Sequence, residues 1–597
     1  MITSNHRINS TAHFAGKRFA FIALLCLIFS QSIFSQALPI AIDSRFDDWA
    51  ATAVLLEDKT GDGNSIDLLR FAVANDDEFL FLRLEIDQEV NLTENNNLTL
   101  FLDADHDAAT GKSFNGIGAE LEIRMGERLV IYYSSVLPLF LYLNDVQFRH
   151  QPTVSSSQFE IAIGRAVAPD GVTPLFSGGN IRLAFRDGLG GDLMPDAGQT
   201  FTYTFDETPV LPYEGVSLEK ENPKFLRLMT WNTSQDGLDD VMRQANFKRI
   251  TTAIQPDIVT FNECWDLFPS QAATFMNAAF PLPNFQNWHA VKLDQGNVTV
   301  SRYPISKNWL IYPGHRLTAS LIDLPDAVYE KDLLVINAHL KCCSDGNSIR
   351  QNEADAFAAF ILDAKTPGGV IDLPEDTPFV LSGDLNLVGS NQQLKTLLEG
   401  SIVNTGTFGQ GGAPDWDDTE LEDGIALQAD ARMAYTWRKE SSEFPPSRID
   451  YHIFPNSVMN AEKFFSLRTE DMSPERLAMY GLLQNDTHTA SDHLPKVTDF
   501  SLPTWTGVAG SAGASFPMRV SPTPFENRFR VEMEVETGSS VDLSLFNLAG
   551  IRVAGEQANV LPGRQTVVVE AADLPAGMYL LKATVAGKSG GILVFKK

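Results

Sequence analysis

The chain has 597 residues, 44% of them hydrophobic and 20% charged, with a formal net charge of −30. That length exceeds what one hydrophobic core holds and implies three or four domains. The acidic balance disfavours a protein that grips nucleic acid through a broad basic face, which needs clustered Lys and Arg. It is compatible with a nuclease of few, metal-assisted contacts, and it suits a protein working outside the cell.

Lys17 and Arg18 precede an apolar run over 19–29 and a polar stretch through Ser35. A charged n-region before a short apolar h-region predicts a secretory signal over 1–35, leaving Gln36 first after cleavage. The run is shorter than the ~20 residues of a spanning helix. No later segment is long enough either, so no transmembrane segment is expected after signal removal. Cys26 leaves with the signal and has no small residue before it, against a lipoprotein anchor. Cys264, Cys342 and Cys343 remain on an oxidising route. A bridge from Cys264 to Cys342 or Cys343 would staple two site-bearing strands; a vicinal Cys342–Cys343 bridge and free thiols are the alternatives.

Residues 36–210 read as short strand-like runs separated by Gly, Asp and Asn turns, which predicts a β-sandwich. Asp103, Asp105 and Asp107 alternate as oxygen ligands do in a calcium loop, although a distal bidentate Glu is missing. Asp58, Asp62 and Asp67 surround a Gly-Asp-Gly turn. Solvated acidic turns are the alternative for both clusters. The runs Ile42-Asp43-Ser44-Arg45-Phe46-Asp47-Asp48-Trp49 and Phe101-Leu102-Asp103-Ala104-Asp105-His106-Asp107 resemble family 9-like carbohydrate-binding sandwich modules. That resemblance implies a ligand-binding domain with a glycan as partner.

Residues 224–500 alternate buried strand runs with helical stretches, predicting an α/β domain. An acidic, Gly-rich insertion over 409–430 reads as a solvated loop. Polar residues end the apolar runs: Asn232 in Met-Thr-Trp-Asn, Glu263 in Val-Thr-Phe-Asn-Glu, His339 in Val-Ile-Asn-Ala-His-Leu, and Asp384 with Asn386 in Ser-Gly-Asp-Leu-Asn. Asp450 in Ser-Arg-Ile-Asp-Tyr and Asp492 with His493 in Ser-Asp-His-Leu-Pro complete the set. A carboxylate, amide or imidazole at the mouth of a buried strand is costly unless it binds something. The mix suits a hard divalent cation and a phosphate ester.

Hydrolysing such an ester needs charge neutralised on phosphoryl oxygens, an aimed water and help for the leaving oxygen. Glu263 is the strongest candidate ligand for Mg2+, or Mn2+ in its place, with Asn232 adding a carbonyl oxygen and Asp492 joining directly or through water. Asp384 and Asn386 sit two apart, so on one strand both point the same way and can orient water. His493 is the other candidate base, or an acid towards a phosphoryl oxygen, with Asp450 steering its tautomer and raising its pKa. His339 would donate to a non-bridging phosphate oxygen. These residues, in this order, resemble the endonuclease/exonuclease/phosphatase superfamily over 224–500. The resemblance implies two packed mixed β-sheets flanked by helices, with the site where the sheet edges meet. Asn297 and Arg302, in Gly-Asn-Val-Thr-Val-Ser-Arg-Tyr-Pro, match a strand of that family and are candidate phosphate contacts, with an ion pair to a neighbouring acid as the alternative for Arg302. Tyr435 and Trp437 read as packing residues, and Asp236 as an insecure further ligand.

Residues 501–515 read as a Gly/Ala/Ser linker. Residues 516–597 return to short strands, with Val520-Ser-Pro-Thr-Pro-Phe525, then Leu548-Ala549-Gly550, then Leu574-Pro575-Ala576-Gly577-Met578-Tyr579-Leu580. Their order and spacing resemble the C-terminal sorting domain of the type IX (Por) secretion system. That implies the type IX machinery as partner and passage through the periplasm to the outer surface or beyond.

Two functions compete. One is a secreted Mg-dependent phosphoesterase acting on nucleic acid, a nucleotide or a phospholipid head group, an extracellular nuclease among them. The other is a surface glycan-binding protein with an idle phosphoesterase-like domain. Residues 224–500 carry about 15 more acids than bases, which disfavours tight duplex binding.

Overall fold

The computed structural model describes residues 39–597 except 52–53, 135, 504–517, 523, 536–537, 548–551 and 586–587. The predicted signal, most of the predicted linker and the Leu548-Ala549-Gly550 motif lie outside the described residues.

The first part is all antiparallel. A five-stranded sheet runs Leu55–Glu57, Leu68–Asn75, Phe79–Val90, Ser156–Gly164, Arg149–Gln151. It faces a seven-stranded sheet centred on Leu98–Asp103 and Asn180–Asp187. Inward residues such as Leu68, Phe71, Leu82, Leu100, Phe159 and Phe185 are fully buried between the two sheets. Alternate residues of each strand face inward, as a half-buried sheet requires.

The central part is two six-stranded mixed sheets. The first runs His289–Val291, Val298–Ser301, Ile258–Asn262, Leu226–Asn232, Lys496–Ser501, Asn460–Ser466; the second runs Ile305–Leu310, Leu317–Ile322, Leu333–His339, Phe379–Asp384, Asp450–Phe454, Glu422–Asp423. Two pairings are parallel, Leu226–Asn232 with Ile258–Asn262 and Leu333–His339 with Phe379–Asp384. Both need a crossover, and the helices Gln244–Ile254 and Asn347–Ala364 supply it. These strands are buried on both faces, which is why their sequences read as near-continuous apolar runs. The sheets meet through small polar pairs; Thr260 and Ser382 hydroxyls lie 2.7 Å apart.

A buried ion pair ties the start of the first sheet together. Arg227 grips Asp499 on the adjacent antiparallel strand through Nε and Nη2 at 2.6 and 2.7 Å, and both side chains are 1% exposed. Arg227 Nη1 also donates to the carbonyls of Leu218 and Ile254, so its charge is fully partnered.

The sandwich is docked on the central part over a continuous contact. Ile42 exchanges backbone hydrogen bonds with the 432–434 segment. Ile40, Ile42 and Trp49 share a small core with Met433, Tyr435 and Leu494. The last described part, 518–597, is a three-stranded and a four-stranded antiparallel sheet around Phe529, Val531, Leu543 and Leu581. No helix among the described residues is long and apolar enough to cross a membrane.

Candidate active site

Register places the polar strand ends together. Asn232 pairs with Asn262 across the parallel ladder of the first sheet. In the second sheet His339, Asp384 and Asp450 are consecutive partners across three strands. Partnered residues present their side chains to the same face. The first two strands end there and the third, antiparallel, begins there. His493 lies just before the antiparallel Lys496–Ser501 strand, so it reaches the same edge from the first sheet.

Gly383 explains the tight approach. Its φ is +145°, and a Cβ would lie 1.9 Å from the carbonyl oxygen of Ala338 on the neighbouring strand. Only glycine lets the Asp384 strand run that close to the His339 strand. Glu263 and Asn386 hold left-handed backbone at φ 55° and 50°, which turns each side chain off its strand end.

Asp384 is the centre. Its Oδ2 accepts from Asn232 Nδ2 at 3.0 Å and lies 3.6 Å from His339 Nε2 and 3.7 Å from His493 Nε2. Its Oδ1 accepts from the Asn386 backbone at 3.0 Å, and its own N–H donates to Asn262 Oδ1 at 3.0 Å. Asn262 Nδ2 in turn donates to Asn297 and Asn337 Oδ1, both at 2.9 Å. Burial pushes the Asp384 carboxyl up, to about 7. Burial works the other way on His493, but the Asp450 and Asp384 carboxylates outweigh it and raise the imidazole to about 10. His493 Nδ1 sits 2.9 Å from Asp450 Oδ2. Burial, with Arg316 nearby, holds His339 well below the ordinary histidine value. The two imidazoles at Asp384 thus differ in charge, His493 cationic and His339 neutral.

Glu263 Oε1 accepts from Asn232 Nδ2 at 3.2 Å and Oε2 from the Gln235 backbone at 2.9 Å. Asn232 therefore turns its amide nitrogen, not its oxygen, to the carboxylates; its Oδ1 accepts from Ser234. Asp492 Oδ2 accepts from Trp437 Nε1 at 3.3 Å. Glu263, His339, Asp384, Asn386, Asp492 and His493 all line one cavity of about 470 Å³. Trp437, expected to pack the strand, lines it too.

Other expectations find different places. Arg302 pairs with Asp257 at 2.8 Å and does not line the cavity. Asn297 is 1% exposed and bonded to the Arg316 and Asn337 carbonyls, a strut under the site. Asp236 accepts from the backbone of Asp266 and Leu267. The Cys264 staple is not formed, and all three described cysteines are free. Cys264 is packed in the apolar core with Trp231 and Phe261, whereas Cys342 and Cys343 line the cavity. The vicinal pair is not bridged either; its sulfurs are 2.8 Å apart.

In the sandwich, Asp103 and Asp105 converge with Glu120, not with Asp107, which accepts from the Ala109 backbone in its own turn. Asp103 Oδ1 and Glu120 Oε1 are buried without a hydrogen-bond partner. Asp58 and Asp62 converge with Asp192, while Asp67 clasps the Gly61 and Gly63 amides.

Sequence reasoning missed Arg316, Trp265 and Lys341, which line the cavity. Arg316 stands 5.4 Å from the Trp265 ring centre and its Nε is buried without a partner. Gly-His-Arg-Leu around it carries no motif that would have marked it.

A family model described as the endonuclease/exonuclease/phosphatase family matches residues 229–493, which contain this whole constellation. The chain carries an endonuclease/exonuclease/phosphatase domain. A second model, the secretion system C-terminal sorting domain, matches 519–590. That sorting domain directs export by type IX secretion to the cell surface or outside. Among solved structures, the chain is similar to an endonuclease/exonuclease/phosphatase from Beutenbergia cavernae, at 19% identity and a TM-score of 0.30 over 62% of this chain and 99% of that one. It is similar to truncated Caenorhabditis elegans TDP2, at 16% identity and a TM-score of 0.31 over 46% and 98%. It is also similar to ANGEL2, a 2',3'-cyclic phosphatase, at 13% identity and a TM-score of 0.33 over 47% and 97%. A search of curated proteins returned no match.

Proposed function

We propose that this protein is an exported, divalent-metal-dependent hydrolase of phosphoesters. The observation that carries the reading is the convergence on Asp384 of a neutral His339, a cationic His493 and the Asn232 amide within 3.7 Å, beside Glu263 in one cavity.

The donor set fits a hard cation. Glu263 and Asp492 both bring a carboxylate to the cavity lining, and Mg2+ takes one or two carboxylates plus waters and substrate. The cavity's two thiols, Cys342 and Cys343, lie with each other on a different segment, so no tetrahedral sulfur site is built. When bound, the cation supplies positive charge to the phosphoryl oxygens and acidifies water.

The chain's own residues do the rest. Asp384, raised by burial to about 7, is suited to take a proton from water at neutral pH. Asn232 Nδ2 bridges Asp384 and Glu263 and fixes the distance between them. The His493 imidazolium presents Nε2 to the cavity while Asp450 holds Nδ1, so it can donate to a phosphoryl oxygen as charge builds. His339, neutral, donates without adding charge. Arg316 gives a second, permanent cation facing the same space. Hydrolysis of bis(4-nitrophenyl) phosphate, lost in EDTA and restored by Mg2+, tests the reading; activity indifferent to EDTA contradicts it.

In the sandwich we propose Ca2+ at Asp103, Asp105 and Glu120, supported by the two buried, unpartnered carboxylate oxygens there.

A further inference from the structure

The cavity at Asp384 is not built by the phosphoesterase domain alone. Thr93, Glu94 and His150 of the N-terminal sandwich line it together with Trp265, Trp437 and Phe444 of the central domain. We propose that the sandwich is one wall of the substrate cavity and fits it to a small phosphoester of about mononucleotide size with a flat aromatic substituent. This rests on the phosphoester reading above and specifies its substrate.

The wall is fixed in place. Asn144 of the sandwich donates through Nδ2 to the carbonyls of Lys439, Ser442 and Phe444 at 3.3, 2.8 and 3.0 Å. Arg128 lies 4.4 Å over the Phe444 ring and 3.6 Å from Glu443. On the other side the Thr153 hydroxyl is 3.1 Å from the Leu387 and Arg448 carbonyls, and Asn91 Nδ2 donates to the Val388 carbonyl at 2.7 Å. The loop between Trp437 and Asp450 is thereby held by the sandwich, so both sides of the cavity depend on it.

Size and chemistry set the occupant. About 470 Å³ is in the range that encloses one small ligand, and Thr93, Glu94 and His150 of the sandwich bound part of it. Trp265 and Phe444 are 37% and 40% exposed; each carries an arginine over one side, Arg316 and Arg128, and the remaining exposed ring surface is aromatic area available to a flat ligand. His150 is 3% exposed with Nδ1 unpartnered, a buried polar edge that lacks its hydrogen bond. Burial holds that imidazole down, to about 4, so it offers a neutral edge. Arg316 and Lys341 of the central domain line the cavity as cations suited to a phosphate, and Glu94 of the sandwich lines it too, paired with Arg128 at 3.4 Å.

The test uses the full chain and AMP as probe, followed by calorimetry, together with kcat/KM for bis(4-nitrophenyl) phosphate and supercoiled plasmid. The wild type is expected to bind AMP with a Kd below about 1 mM and to prefer the small ester over plasmid. Thr93→Trp, which fills the wall, is expected to weaken AMP at least tenfold and raise KM for the small ester with kcat little changed. His150→Phe keeps an aromatic side chain and removes both ring nitrogens, Nδ1 among them; it is expected to weaken AMP several-fold with an unchanged melting temperature at about pH 7, and stands in if Thr93→Trp does not fold. No AMP binding by the wild type, plasmid cleavage as efficient as the small ester, or unaltered binding in both variants overturns the inference. Wild-type inactivity on every ester, or full activity in Glu263→Ala, overturns the phosphoesterase reading instead, and AMP binding still reports on the wall.

Discussion

His493 Nδ1 lies 2.9 Å from Asp450 Oδ2, with the ring 6% and the carboxylate 0% exposed. The pair joins the two sheets, since Asp450 opens a strand of the second and His493 precedes a strand of the first. It also fixes the ring, leaving Nε2 alone to face Asp384.

Asp450→Asn keeps the shape of that pair and removes its charge. The His493 pKa, raised to about 10 by Asp450 and Asp384 against burial, is expected to fall. kcat should drop about 100- to 10,000-fold, the range of one acid–base group. A pH titration of the His493 ring by NMR and a pH–rate profile read both effects; an unmoved pKa contradicts the pairing.

Arg227→Met and Asp499→Ala probe the buried ion pair at 1% exposure. Removing one partner strands the other charge, so each is expected to destabilise the central domain by about 3–5 kcal/mol. Urea unfolding measures this. A loss under ~1 kcal/mol would mean that the charge finds water.

Stability should fall on the acid side through His150. Its folded pKa is depressed, to about 4, below the unfolded value near 6.5. The unfolded chain therefore binds a proton that the folded chain refuses between those values, and stability declines as pH drops from about 6.5 to about 4. The group's share is about 3 kcal/mol. His150→Phe, compared with wild type by unfolding at pH 7 and pH 5, should lose less; an equal loss contradicts the assignment.

Much of the site was legible because each polar group ends an apolar run. A strand buried on both faces leaves a long hydrophobic signature, and Asp384 or His339 at its end stands out against it. Glycine at 383 was legible as a motif, though the 1.9 Å approach that demands it was not. What stayed hidden comes from tertiary pairing. Arg316 sits on an unmarked loop, and Glu120 joins Asp103 only because neighbouring strands fold it there. The Cys264 staple misled because proximity to Glu263 in sequence says nothing of direction: the carboxylate turns to the cavity and the thiol into the core. The amide orientation of Asn232 is likewise set by its neighbours, not by its residue type.

Calcium should stabilise the sandwich if Asp103, Asp105 and Glu120 hold it. A melting shift of several degrees with Ca2+, absent in Glu120→Gln and retained in Asp107→Asn, is the expected result. Equal shifts in wild type and Glu120→Gln would falsify this assignment.

The central claim is that Glu263 holds the metal on which hydrolysis depends. The direct measurement is calorimetric titration of Mg2+ into wild type and Glu263→Ala, paired with hydrolysis of bis(4-nitrophenyl) phosphate at the same Mg2+ concentrations. The account predicts that wild-type activity follows site occupancy, and that the variant loses both binding and turnover while melting normally. Turnover by Glu263→Ala at the wild-type rate, or a wild type whose activity ignores Mg2+, contradicts it.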